Sequence, residues 1–120
     1  MMETRLVFAK AVASSKLPGS VRTQVANAQA VESHGFDESY IAFLDEQIEL
    51  NARGDAWTER LRLRRSRLAG YCNRTLVRGR LVVDGVEWSI EVDPETNTVV
   101  HWETYELKTR HDEDSTRPAN

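Results

Sequence analysis

The sequence predicts a single α+β domain, with three or four N-terminal helices followed by a three-stranded antiparallel β-meander at about residues 74–107. Three observations predict this fold class. Apolar residues recur at helical spacing in the first half of the chain, they alternate with a period of two after Thr75, and Asp84-Gly85 is a strong hairpin signal between two such strands. A chain of 120 residues has the length of one domain, which we place at 1–107.

Two helices are predicted in the first third of the chain. Residues 3–15 carry apolar residues among good helix formers, and Pro18 followed by Gly19 ends this segment because both residues interrupt helices. Ser20 is a suitable cap for a second helix. Its thin, alanine-rich apolar stripe continues at helical spacing, and we end it near Gly35.

The third helix has the clearest pattern. Asp37 is a good N-cap, and the helix closes at 51–54. At 100° per residue, its apolar positions cover about half of the circumference, and its acidic residues lie opposite. The apolar positions are Tyr40, Ile41, Phe43, Leu44, Ile48 and Leu50. We expect this wide face to pack on the sheet and on other helices together.

A fourth helix is predicted from Asp55 or Thr58 to about residue 70, but its apolar stripe is poor. Arginine and leucine alternate over 60–65 with the period of a half-buried strand, so a fourth strand is the alternative there. We favour the helix because the alternation fails at Arg65.

The turn at Asp84-Gly85 fixes the register of the first two predicted strands, because a type I′ turn needs positive φ at both central residues. On the apolar face of this ribbon the expected pairs are Val83 with Val86, Leu81 with Trp88, Gly79 with Ile90 and Val77 with Val92. On the opposite face, Arg78 lies opposite Glu91, an opposite-charge cross-strand pair.

The third strand, at 98–107, is apolar on both faces. Simple alternation puts Val99 and Tyr105 on one face and Val100 and Trp102 on the other. Trp102 is therefore expected to lie away from Val99. It is either an interface anchor or is covered by the N-terminal helices.

Charge is strongly segregated along the chain. Eight arginines and no acidic residue lie between Arg60 and Arg80, whereas seven acidic residues and no Lys or Arg lie between Asp84 and Glu106. The arginines could form a cationic patch that binds an acidic protein or nucleic acid. Alternatively, they form a solvated helix face, with Arg78 and Arg80 paired to sheet carboxylates such as Glu91.

The function that this pattern favours is a non-enzymatic interaction module that binds a protein partner by charge complementarity, such as an inhibitor, immunity protein or accessory factor. The alternative is a nucleic-acid-binding protein that uses the basic patch at Arg60 to Arg80. The open edges of a small sheet also suit a homodimer. The candidate partner-binding residues are Arg60, Arg64, Arg67, Arg78, Arg80 and Trp102.

No motif predicts an enzyme, a cofactor or a metal site. The three histidines and Cys72 lack the spacing of metal ligands, and no phosphate-binding or nucleophile motif is found. A single cysteine permits no internal disulfide, which favours a cytoplasmic location, and no apolar run is long enough to cross a membrane. The polar segment 108–120 is expected to be a disordered acidic tail.

Overall fold

The computed structural model describes residues 4–51 and 56–107. The fold is α+β, as predicted, with four helices and a four-stranded antiparallel sheet of order β1-β2-β3-β4. Short 3-10 turns follow α2 at Val25–Asn27 and α4 at Ala69–Tyr71. In chain order the elements are α1 (Thr4–Ala13), α2 (Gly19–Thr23), β1 (Ala30–Phe36), α3 (Glu38–Leu50), α4 (Ala56–Leu68), β2 (Arg74–Val83), β3 (Val86–Asp93) and β4 (Thr98–Glu106).

The helix α1 covers one face of the sheet. Its buried residues lie one turn apart, so they form a single stripe. Phe8 is 1% exposed and lies directly over Gly79 of β2, where a Cβ atom would come within 2.3 Å of the ring carbon Cζ. The surrounding core includes Val7, Ala11 and Val12 of α1, with Val77, Leu81, Val83, Ile90 and Val92 of the sheet.

The helices α3 and α4 lie on the opposite side. Leu68 of α4 and Leu76 of β2 form a second, smaller buried cluster. Tyr40 and Ile41 of α3 pack against this cluster. The sheet is therefore covered by an apolar helix face on one side, and only partly by apolar contacts on the other.

The local signals for α3 and for the hairpin are confirmed. The carboxylate of Asp37 accepts a hydrogen bond from the backbone N–H of Ser39, at 3.0 Å, as a helix N-cap does. Asp84 and Gly85 have φ values of 52° and 78°, which are the positive values that a type I′ turn requires. The register of β2 and β3 agrees with the prediction, including Arg78 opposite Glu91.

The second helix is shorter than predicted, and Ala30–Phe36 is a strand. We expected a helix to run to Gly35, but α2 ends at Thr23. Instead, β1 pairs antiparallel with β2 along its whole length, and the N–H of Gln29 donates to the carbonyl oxygen of Arg80 at 2.7 Å. The long strand β2 offers a free edge to this segment, and that pairing outweighs a weak helical stripe.

Trp102 lies on the face opposite to the one predicted. The register of β3 and β4 shifts between Glu91 and Val92, so that Val92 pairs with Val99 while Ile90 pairs with Trp102. The extra residue on β4 is a β-bulge, which reverses the alternation beyond it. Val99 and Trp102 therefore share the face that carries α1.

The remaining predictions have mixed outcomes. Residues 60–65 are helical, as we favoured, because they belong to α4. The apolar face of α3 is buried less than expected, since Leu44 is fully buried while Phe43 and Leu50 remain 51% and 70% exposed. The predicted tail at 108–120 lies outside the described residues. Within the part of the chain that the structure describes, no helix has the length and apolar character needed to span a bilayer.

The contact between Phe8 and Gly79 makes a stability prediction. Gly79→Ala should lower the free energy of unfolding by about 2–3 kcal/mol, because the added methyl group overlaps the buried ring. Combining it with Phe8→Leu should recover part of that loss, since the smaller side chain leaves room. Urea unfolding measures both effects.

Gly70→Ala is the matched control. A Cβ atom at position 70 meets no atom within 4 Å, so we expect a change of less than about 0.5 kcal/mol. If Gly79→Ala were as stable as the Gly70→Ala control, Phe8 would not lie over β2 as described.

Candidate functional site

The most strongly bound ionisable group in the described chain is Glu103 of β4. Its carboxylate is nearly buried, yet Arg64 of α4 binds it through two parallel hydrogen bonds of 2.6 and 2.7 Å. The imidazole Nε2 of His101 donates at 2.7 Å, and the hydroxyl of Tyr105 donates to the second carboxylate oxygen. A bidentate Arg–carboxylate pair is among the stronger polar contacts that a protein can form.

These contacts hold Glu103 ionised. Burial opposes ionisation and raises the pKa, but hydrogen bonds from His101, Arg64 and Tyr105, together with the charge of Arg64, lower it more. The net pKa of Glu103 is therefore far below its ordinary value of 4.5. The pKa of Tyr105 is raised, because of burial and because the phenol donates to Glu103. Glu103 thus fastens α4 to β4.

A second buried carboxylate, Glu91, lies on the neighbouring strand β3. Burial again raises its pKa, but the hydrogen bond from His34 at 2.6 Å and the charge of Arg78 at 3.6 Å lower it further than burial raises it. The side chain of His34 keeps 26% of its surface exposed. Glu91 therefore joins β1 and β2 to the centre of the sheet.

His101 lies directly across the ladder from Glu91 and donates to Glu103. Its other ring nitrogen, Nδ1, is buried without a hydrogen-bond partner in the described residues. An ionised carboxylate can only accept, so Nε2 is the donor in this hydrogen bond. The imidazole is 2% exposed, which removes it from contact with a substrate.

Most of the predicted cationic patch is taken up by these and similar pairs. Six of the eight arginines lie within 3.7 Å of a carboxylate oxygen: Arg60 and Arg64 (Glu103), Arg62 (Glu59), Arg65 (Asp45), Arg74 (Asp93 and Glu95) and Arg78 (Glu91). Arg60 also donates to the carbonyl oxygen of Thr104 at 2.9 Å and lies over the ring of Tyr105. The arginine-rich segment therefore does not present one coherent cationic surface.

Three of the six predicted binding residues remain available. Arg67 and Arg80 form no ion pair with any residue in 4–51 or 56–107, and Trp102 is 38% exposed. Arg80 lies on β2, two strands away from Trp102 in the sheet order. Arg67 lies beside Trp102, with its guanidinium carbon 5.8 Å from the centre of the indole ring. Of these three residues, only Arg67 and Trp102 form a common site.

That site is an open cavity of about 540 Å³ at the β4 side of the sheet, which we call the indole cavity. Trp88 and Trp102 lie in its wall with their ring centres 5.4 Å apart. Among the described residues, two cations, Lys16 and Arg67, line it, and no carboxylate does. Its apolar wall is formed by Ala11, Leu17, Pro18, Trp88, Val99, Val100 and Trp102.

A second cavity, of about 410 Å³, lies between β1, β2 and the start of α3. It contains His34, Arg74 and Arg78, but Glu91 and the fully buried Asp93 lie within hydrogen-bond or ion-pair distance of these cations. Asp37 also lines it. Because its charges are already compensated, this cavity attracts an anion less than the indole cavity does.

Sequence reasoning missed the roles of His34, His101 and Glu103. The helical pattern extends over His34, and the sequence does not single out Glu103 among the seven acidic residues between Asp84 and Glu106. The signal that points to Glu103 is the short motif His101, Glu103, Tyr105, three polar side chains at alternate positions of one strand. In the described ranges, no cluster of three or more potential metal-ligating residues is found.

No protein-family model, curated protein sequence or solved structure matches this chain.

The burial of Glu103 predicts a stability loss on its replacement. Glu103→Gln should lower the free energy of unfolding at pH 7 by about 3 kcal/mol, because Arg64 is then left without its ionic partner. Glu106→Gln is the control, since Glu106 lies exposed on the same strand and should change stability by less than about 0.5 kcal/mol.

The same group predicts a pH dependence. Because the pKa of Glu103 is lower in the folded state, its contribution is complete above its ordinary value of 4.5 and is lost as pH falls below that value. Urea unfolding between about pH 3 and 7 should give a flatter pH profile for Glu103→Gln than for the wild type. Parallel profiles would show that this carboxylate is not specifically stabilised by the fold.

Proposed function

We propose that this protein is a small non-enzymatic interaction module that binds a protein partner by charge complementarity, and that the partner contacts the indole cavity. One observation carries the proposal. Two residues predicted to bind a partner, Arg67 and Trp102, lie together beside Lys16 in a cavity that no carboxylate of residues 4–51 or 56–107 lines. An acidic partner segment would therefore meet positive charge that no acid of the described lining neutralises.

The tryptophans supply the second part of the argument. Tryptophan and arginine are the residue types most enriched among those that dominate binding energy at protein interfaces. Trp102 has a partly exposed ring that packs on Trp88, so it is already held in position before a partner arrives. Such a preorganised aromatic surface costs less ordering free energy on binding than a mobile side chain.

Nucleic acid is the competing partner. Indole rings and cations also suit stacked bases and phosphates. A nucleic acid needs a track of cations along its backbone, however, whereas six of the eight clustered arginines are paired within the protein. A local cationic cavity fits a protein segment better.

The absence of an enzymatic role is part of the proposal. The buried acids Glu91 and Glu103 are each bound by cations or hydrogen-bond donors of the fold, so they act as structural anions. We further propose a cytoplasmic location, in line with the single cysteine, Cys72. A homodimer through an open sheet edge stays a prediction.

The proposal predicts a charge-dependent association. Arg67→Glu combined with Lys16→Glu should weaken the capture of a protein partner from native lysate by at least about tenfold, because both cavity cations become anions. Capture should also weaken as salt rises. Quantitative mass spectrometry of material captured by the wild type and the variant measures the loss.

The control is Arg62→Glu combined with Arg65→Glu, which makes the same change in net charge on α4 away from the cavity. Both residues form exposed ion pairs, which water and salt screen, so we expect their loss to leave the fold intact. Equal capture by the wild type and the cavity variant would contradict the proposal. Capture that nuclease treatment removes would favour nucleic acid instead.

A further inference from the structure

The indole cavity combines two kinds of surface that few ligands match at once. Its volume of about 540 Å³ lies within the range, roughly 300–1,000 Å³, of cavities that hold a small ligand. It is wide enough for one apolar side chain with its backbone. A ligand of this cavity must match both its apolar wall and its cations.

The apolar wall selects for a hydrophobic group. Leu17, Pro18 and Val99 complete the surface around the two indole rings. A group that covers these side chains gains free energy from their removal from water. A bare acidic side chain, such as that of an internal Asp or Glu, would bring a charge but too little apolar surface to cover the wall.

The cations select for a carboxylate. Arg67 has no ion pair with any described residue, and contact with the ring of Trp102 holds its guanidinium at the cavity. A guanidinium can donate two parallel hydrogen bonds to one carboxylate, and Lys16 adds a second positive charge. The hydroxyls of Ser14 and Ser15 already donate hydrogen bonds to backbone carbonyl oxygens, so they compete little with Arg67 and Lys16 for the ligand.

We infer that the indole cavity binds the C-terminal residue of a partner protein, with its apolar side chain against Trp88 and Trp102 and its α-carboxylate at Arg67. This inference rests on the proposed function. In a protein chain, an aliphatic or aromatic side chain and a carboxylate occur on one residue only at the C-terminus. Capture of a terminal carboxylate is a recurring mode of peptide recognition.

The segment 108–120 of the same chain does not supply such a group, because it contains no large apolar residue. Its three acidic residues are balanced by three Lys and Arg residues, so it brings no net negative charge to Arg67 and Lys16. A separate partner is the better match.

The test uses five acetylated hexapeptides that end in Val, Leu, Ile, Phe or Trp, each with a free carboxylate and with a carboxamide. Isothermal titration calorimetry with the full chain gives affinities up to about 1 mM. We expect at least one free acid to bind at least about tenfold more tightly than its amide, because a charge-assisted contact is lost. In Arg67→Gln, acid and amide should bind within about twofold of each other.

A matched variant separates the charge from the wall. Val99→Ala, which removes part of the wall and keeps the contact between Arg67 and Trp102, should weaken acid and amide by the same factor and leave their ratio unchanged, whereas Arg62→Gln should alter neither. Circular dichroism and urea unfolding identify any variant that fails to fold. For such a variant, Arg67→Lys, which keeps the charge but not the paired donors, replaces the glutamine variant and should retain part of the preference.

Three outcomes would overturn the inference. Equal binding of acids and amides would show that the carboxylate is not recognised. No binding by any peptide, while capture of a protein from lysate still depends on Arg67 and Lys16, would reject the terminal carboxylate and leave the proposed function standing. Displacement of the bound peptide by a single-stranded hexanucleotide, with no cavity-dependent protein capture, would reject both.

Discussion

The bidentate ion pair between Arg64 and Glu103 joins α4 to an edge strand of the sheet. A carboxylate nearly removed from water, on an edge strand, needs a cation and hydrogen-bond donors close by. Arg64 supplies the cation from α4, so the position of that helix on β4 is set by charge at least as much as by apolar contact. Glu91 repeats this arrangement one strand further in, with His34 and Arg78.

The segregation of charge along the chain thus has an internal explanation. Arginines of 60–80 and acids of 84–106 are separated in sequence but adjacent in space, because α4 and β2 flank the strands that carry the acids. Four of the eight arginines pair with acids of 84–106 across the fold, and two more pair with helix acids. Within the described residues, Arg67 and Arg80 are left without an ion pair, and Arg67 lies beside Trp102 with Lys16 in the same cavity.

The sequence predicts the structure correctly where the deciding contacts lie within a few residues of one another. Asp37 caps α3 through contacts two residues away, and Asp84-Gly85 sets a register that the alternation of β2 and β3 supports independently. It failed where the deciding contact is distant. β1 forms because β2 offers an edge, and a one-residue bulge on β4 moves Trp102 to the other face. The candidate cavity depends on that bulge, so it could not be predicted from alternation.

Most of the clustered arginines stabilise the fold, because six of the eight pair with its carboxylates. A double-mutant cycle of Arg64→Met and Glu103→Gln tests this directly, with the free energy of unfolding determined for all four proteins at pH 7. We expect a coupling of about 2 kcal/mol or more between the two sites. Additive effects within about 0.5 kcal/mol would contradict it and would return Arg64 to the set of freely available cations.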